Sequence, residues 1–337
     1  MKLAERHFAL LALGIAAFPQ CPAVAEESRT TPPPDVSAEE KISEASTRRV
    51  FSVFDDNDFF GRWSDKYYTN HTRLALTLGA SESPSGVRDA LFFSLGQEIY
   101  SPKDREARVP DPRDHPYAGY LYASFGDAKF DDDFAFVTEI QLGATGDWSL
   151  AEKTQKEYHR LIDEIRPAGW DTQIHERVVA QATGEVRARF MLDGACGNGA
   201  FGSDLVVRGF GDLGNLRGVV SAGAQLRAGL NLPWDFGATT DMRRGTSVVF
   251  DPRVSASFYA YLDASADVVL WDKTLTGNND RGADICAYPL AGEISVGVCA
   301  VYDRVSLAIF QSFRSKDFTS QDKDFFAYGG FRMSVFF

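Results

Sequence analysis

The amino-acid sequence predicts an all-β protein, a twelve-stranded antiparallel transmembrane β-barrel with a short helix in an extracellular loop. Three observations predict it. Apolar and polar residues alternate with period two through one segment after another of about ten residues or more, as strands between lipid and a polar lumen require. Charges recur on the polar faces of those segments, and past the first 25 residues no apolar run approaches the length of a membrane helix.

The elements follow in order. Residues 1–25 carry early basic residues, an apolar run from Phe8 to Phe18 and "AVA" at 23–25. That run is too short to span a bilayer and reads as a signal peptide cleaved after Ala25, taking Cys21 with it. Residues 26–48, "EESRTTPPPDVSAEEKISEASTR", read as a flexible periplasmic leader. The barrel occupies 49–337, with strands expected near 50–57, 69–80, 89–101, 117–128, 132–146, 175–192, 203–213, 217–231, 252–270, 289–301, 303–316 and 323–337.

The patterns are explicit. Phe134, Phe136, Ile140 and Leu142 alternate against Glu139 and Gln141, and Ala180, Ala182, Val186, Ala188 and Phe190 against Gln181, Thr183, Glu185, Arg187 and Arg189. In the last segment Phe325, Ala327, Gly329, Phe331, Met333, Val335 and Phe337 share one face. A terminal aromatic on an outward face resembles the C-terminal signal of outer-membrane barrels. An even strand count puts both termini on one side, taken as periplasmic. The connections near 58–68, 101–116, 147–174, 213–216, 271–288 and 316–323 then face outward.

Composition narrows the function. A formal charge of −12 excludes the basic footprint that nucleic acid requires. Cys196, Cys286 and Cys299 remain after cleavage, an odd number; Cys196 falls near the periplasmic end and Cys286 near the outer end, so those two should not pair. A monomer is expected. Arg73, Glu139, Glu185, Arg187, Arg208 and Arg332 are placed to fill the lumen with ion pairs, which argues against an open channel.

The outer rim collects the chemistry. In "FDDNDFFGRWSDKYYTNHTRLALTL" (54–78) two apolar alternations flank a polar knot containing Asp55, Asp56, Asn57, Asp58, Asp65, Thr69, Asn70 and His71. In the 147–174 loop "SLAEKTQKEYHRLIDEI" lacks Gly and Pro, and Ser149 with Glu152 fits a capping box. A helix from about 150 to 165 follows, with an apolar patch of Leu150, Leu161, Ile162 and Ile165, and with Gln155 and His159 on one face. Strand parity places Asn57, Asp58, Thr69 and His159 at the same end of the barrel. A neutral histidine can take a proton from water, and carboxylate, amide and carbonyl oxygens can hold Ca²⁺ to polarise an ester carbonyl. There is no GxSxG and no HExxH. "FDDDF" at 130–134 reads as a periplasmic turn, and Tyr67, Tyr68, Tyr117, Tyr120 and Tyr122 as aromatics of the membrane-interface girdle.

At "NDFF" (57–60), "DKYYTN" (65–70), "DHPYAGYLY" (114–122), "GATG" (143–146) and "AEKTQKEYHRLIDEIRPAGWDTQ" (151–173) the sequence resembles the outer-membrane lipid A 3′-O-deacylase family, from about residue 50 to the C-terminus. The resemblance implies a twelve-stranded barrel in the outer membrane of a Gram-negative bacterium. Its activity would be Ca²⁺-dependent hydrolysis of an ester-linked 3′-acyloxyacyl chain from lipid A of lipopolysaccharide at the outer leaflet. It implies His159 as general base on a water, Asp58 near the calcium, and Asn57 and Thr69 shaping the cation and oxyanion environment. His71 stands where the family usually has Gly, and His115 where it usually has Arg. Arg105, Arg108, Arg113, Lys156 and Arg160 are outer-loop candidates for contact with substrate phosphates. The competing readings are an outer-membrane phospholipase, with a serine nucleophile beside the histidine, and a non-enzymatic channel or structural barrel.

Overall fold

A computed structural model describes residues 49–58, 67–82, 87–194, 200–240 and 254–337. The expected signal peptide and leader, Asp65, Phe59 and Phe60 of the "NDFF" motif, and Cys196 lie outside those residues. The chain forms a closed antiparallel barrel in which β1 pairs with both β2 and β12. The strands are β1 Val50–Asn57, β2 Tyr67–Glu82, β3 Arg88–Ser101, β4 Ala118–Phe130, β5 Phe134–Thr145, β6 Val178–Asp193, β7 Phe201–Gly214, β8 Arg217–Leu230, β9 Ala256–Asp272, β10 Leu290–Tyr302, β11 Val305–Ser315 and β12 Phe325–Phe336. All twelve expected strands are present, with ends shifted by up to four residues. Closure joins the two ends of the chain: Val50 pairs with Phe336, and the Arg49 N–H donates to the Phe337 carbonyl at 2.8 Å.

Alternation is realised as two faces. On β5 Phe134, Phe136, Ile140 and Leu142 point outward, while Ala135, Val137, Glu139 and Gln141 are buried. The lumen is filled by ion pairs whose partners satisfy each other in a water-poor space. Arg73 meets Glu139 at 3.1 Å, Arg187 meets Glu185 at 2.8 Å, Arg208 meets Asp263 at 2.5 Å and Arg332 meets Asp56 at 2.6 Å. All six charged residues expected in the lumen take part.

The five tyrosines expected in the interfacial girdle are instead buried, each with 2% exposure or less. Tyr120 and Tyr122 share the inward parity of β4 with Ser124, whereas Leu121, Ala123 and Phe125 are the more open residues. Their hydroxyls find polar partners inside, which an interior tyrosine needs: Tyr120 donates to Gln141 at 3.2 Å and Tyr68 to Asp56 at 2.9 Å.

Both ends of the barrel are covered. After β8 the segment 231–240 turns into the lumen from the side of the termini. Asp235 pairs there with Arg227, which also holds Asp204. Phe236 packs among Phe92, Phe130, Val137 and Val206, and the Thr239 carbonyl accepts from Arg332 Nε at 2.9 Å. At the opposite end the outward connections grip one another. Lys103 pairs with Asp322, Ser320 donates to the Arg113 carbonyl at 2.5 Å, and Phe318 lies edge-on to both Tyr67 and His115.

Candidate active site

The outward end of β1 and the start of β2 bring the polar knot together. Asn57, half-buried, closes β1 opposite Asn70, and the buried Asp58 follows it. The Asp58 N–H donates to the Thr69 carbonyl at 3.3 Å, so these two residues are adjacent. Thr69 is the extra residue of a β-bulge: the β2–β3 register jumps between Tyr68 and Asn70. Bulges re-aim side chains, and here the Thr69 hydroxyl is buried with no hydrogen-bond partner among the described residues. Asp55 accepts from Thr72 at 2.6 Å and from Asn70 at 3.2 Å, which fixes the neighbouring rung.

His159 comes from α1, Ala151–Leu161, shorter at both ends than the expected helix. The capping box does not form. Leu150 occupies the N-cap position at φ 58°, while the Ser149 hydroxyl donates to the Gly146 carbonyl at 2.6 Å and accepts from the Ala151 N–H at 3.3 Å. A four-residue 3-10 turn, Gly146–Ser149, starts at Gly146 with φ 66°, a conformation suited to glycine. The helix then seats closely on the wall because residue 119 has no side chain; a Cβ there would come within 2.3 Å of the Ala151 Cβ.

The buried stripe of α1 is Ala151, Gln155 and His159, as the shared face of Gln155 and His159 predicts. Gln155 ties the helix down on two sides. Its Nε2 donates to Ser101 Oγ at 2.8 Å, and its Oε1 accepts from Trp170 Nε1 at 2.9 Å. Ser101 pairs with Tyr67 across β2–β3, which links the helix to β2 two residues before Thr69. Trp170 packs with Ile99, Tyr117 and Ala151. His159 Nδ1 lies 2.5 Å from the carbonyl oxygen of Ile165. A carbonyl only accepts, so the Nδ1 position carries the hydrogen and the neutral ring keeps its lone pair on Nε2, the form a general base requires.

The two histidines that depart from the family pattern are both interior. His71 bonds the Tyr68 hydroxyl through Nδ1 at 3.2 Å and the Tyr122 hydroxyl through Nε2 at 3.0 Å. Tyr68 gives its own proton to Asp56, so Nδ1–H of His71 is the donor in that bond. His115 stacks on Tyr100 with ring centroids 5.2 Å apart. Beside it Asp114 accepts from the Lys103 and His115 N–H groups, each at 2.8 Å. Burial pushes the Asp114 carboxyl above its ordinary range and Asp322 adds to that, against the pull of those hydrogen bonds and of His115. Of the basic loop residues, Lys156 pairs with Glu152, Arg160 with Glu157 and Arg113 with Asp111, all in solvent-facing positions.

The donor chemistry of the knot suits a hard cation: the Asp58 carboxylate, the Asn57 amide and the buried Thr69 hydroxyl are all oxygen ligands. Among the described residues no group of three or more His, Cys, Asp or Glu side chains is placed to hold a metal ion. A Ca²⁺ ion here would therefore draw the rest of its shell from carbonyls, water or substrate. Sequence reasoning missed Tyr68, Trp170 and Arg332 as supports of the site. For Tyr68 the available signal was its place directly before Thr69.

The family model described as "Outer membrane protein LpxR" matches residues 9–337. The chain belongs to the LpxR family. It is an outer-membrane protein of the Gram-negative type. The LpxR structure from Salmonella typhimurium superimposes with a TM-score of 0.72 at 17% identity, covering 86% of this chain and 100% of that one. The β domain of the Bordetella autotransporter BrkA is similar at a TM-score of 0.42 and 11% identity, over 86% of this chain and 99% of that one. An outer membrane channel from Pseudomonas putida F1 gives 0.42 and 11%, over 87% and 96%. Among curated proteins no sequence matches this chain.

Proposed function

We propose that this LpxR-family barrel is a lipid A deacylase that hydrolyses an ester-linked 3′-acyloxyacyl chain at the outer leaflet, with His159 as general base. The observation that carries the reading is the His159–Ile165 hydrogen bond. It fixes the tautomer and orientation of a buried imidazole on a helix tethered, through Gln155 and Ser101, to the strand pair beside Thr69. Family membership supports the substrate class.

In this mechanism His159 Nε2 takes a proton from a water, whose oxygen attacks the ester carbonyl. The tetrahedral intermediate then collapses as His159 returns the proton to the departing sugar oxygen, freeing the acid. Asp58, Asn57 and Thr69 would hold Ca²⁺ and shape the environment of the developing oxyanion. Bound there, the cation would polarise the ester carbonyl. The ion-paired lumen and the inserted 231–240 segment favour a catalytic barrel over an open channel.

The test is mass spectrometry of lipid A incubated with purified, detergent-folded protein, with Ca²⁺ or with EDTA, using wild type and His159→Ala. Loss of one acyloxyacyl mass only with Ca²⁺ and only with His159 supports the reading. Intact lipid A throughout, from folded protein, overturns it.

A further inference from the structure

The loop helix has an apolar surface that the reaction scheme leaves unused. Around α1 the side chains sort into three stripes. Ala151, Gln155 and His159 face the barrel and are buried. Glu152, Lys153, Lys156, Glu157 and Arg160 form a charged stripe held partly by the Lys156–Glu152 and Arg160–Glu157 pairs. Between them lie Leu150, Tyr158 and Leu161, continued past the helix end by Ile162 and Ile165, and all five are exposed. Leu161 is 82% exposed, Leu150 54% and Ile165 49%.

A soluble loop does not gather five large apolar side chains on its open side, and such a patch marks a contact. Three things identify the contact as hydrocarbon. The chain enters the helix from β5, whose outward face carries exposed Ile140 and Leu142, by way of the exposed Trp148. A helix with charges on one edge and leucine, isoleucine and tyrosine on the next is built to lie in a membrane interface. The strip also ends at the chemistry: Ile165, whose side chain is exposed on it, supplies the carbonyl that holds His159 Nδ1, and the Glu164 N–H closes the same turn on the His159 carbonyl at 2.9 Å.

We propose that acyl chains of outer-leaflet lipid dock on the strip Leu150, Tyr158, Leu161, Ile162 and Ile165. The helix is then a wedge set in the hydrocarbon boundary, and the strip ends at Ile165, whose carbonyl holds His159. That the docked chain belongs to the substrate rests on the deacylase reading; the docking itself does not. Burying leucine and isoleucine side chains in hydrocarbon is favourable, and a few such residues together hold the loop at the leaflet.

The experiment places a bimane label at Leu161→Cys or at Lys153→Cys, on the charged stripe, in protein whose other cysteines are changed to Ser. Each is reconstituted in phosphatidylcholine vesicles carrying acyl-chain doxyl lipid, and iodide is added separately as an aqueous quencher. The expected result is quenching by doxyl lipid several-fold stronger at position 161 than at 153, with iodide in the opposite order. Equal doxyl quenching at the two positions, or iodide reaching 161 more readily, overturns the proposal. The vesicles contain no lipid A, so doxyl quenching at 161 together with a failed lipid A assay would retire the deacylase reading and leave the docking surface standing.

Discussion

Arg332 and Asp56 form a 2.6 Å ion pair inside the barrel, and through it the periplasmic-side segment is joined to the strand that ends in the polar knot. Asp56 directly precedes Asn57 and Asp58. Arg332 also donates to the Thr239 carbonyl, to the Thr240 carbonyl at 3.3 Å and to the Asp55 carbonyl at 3.2 Å. Removing the guanidinium leaves a buried carboxylate without its ion-pair partner, with the Tyr68 hydroxyl still donating to it, and breaking such a pair costs about 3–5 kcal/mol.

Arg332→Gln should therefore lower the midpoint of heat-modifiable gel migration and reduce lipid A hydrolysis together. Adding Asp56→Asn removes the stranded charge, so the double variant should be more stable than the sum of the two single effects. Strict additivity would show that the pair does not couple segment 231–240 to β1.

Gln155 makes a separate test of how the helix is held. Gln155→Leu fills the space and leaves the Ser101 hydroxyl and the Trp170 indole N–H without this partner, at about 1–3 kcal/mol for each buried polar group. The loss should appear locally, as faster amide exchange across 151–165 with the barrel strands unchanged, and activity should fall because His159 lies one turn further along. Uniform exchange across barrel and loop would contradict a local tether.

The barrel was legible because lipid and lumen impose opposite demands on alternate residues; Ile140 and Leu142 against Glu139 and Gln141 state this without reference to any distant part of the chain. The shared face of Gln155 and His159 was legible from their i, i+4 spacing, whereas the role proposed for His159 came from the family resemblance. The tyrosines were misread because tyrosine satisfies either an interface or a polar interior, and only parity with Ser124 separates the two for Tyr120 and Tyr122. The capping box failed because Leu150, at φ 58°, took the cap position that Ser149 was expected to hold. Segment 231–240 could not be read locally: "NLPWDFGATT" carries turn residues, and its insertion depends on Arg332, about ninety residues later.

The loop that carries Asp114 should be pH-sensitive. Its carboxyl is raised above 3.8, chiefly by burial. With a raised folded value, the group's contribution to loop stability is fully present below the ordinary pKa and is lost as pH rises through the raised one. Amide protection at Lys103 and His115 should decline as pH rises from about 4 through that raised value. Asp114→Asn, which keeps one acceptor oxygen, should flatten the decline; an unchanged profile would assign it to another group.

Thr69 separates function from stability most cleanly. A buried hydroxyl with no hydrogen-bond partner among the described residues is a liability for folding, since desolvating it is uncompensated. Thr69→Val keeps the shape and the β-branch at the bulge while deleting that hydroxyl. The variant should fold at least as stably as wild type, by up to about 1–3 kcal/mol on the cost of an unsatisfied buried group. If the hydroxyl serves the cation or the oxyanion, hydrolysis of lipid A should nevertheless fall by about 10²-fold or more, the scale of losing one oxyanion contact. Heat-modifiable migration and lipid A mass spectra on the same preparation check both halves. A variant that is less stable and fully active would make Thr69 a structural residue of the bulge.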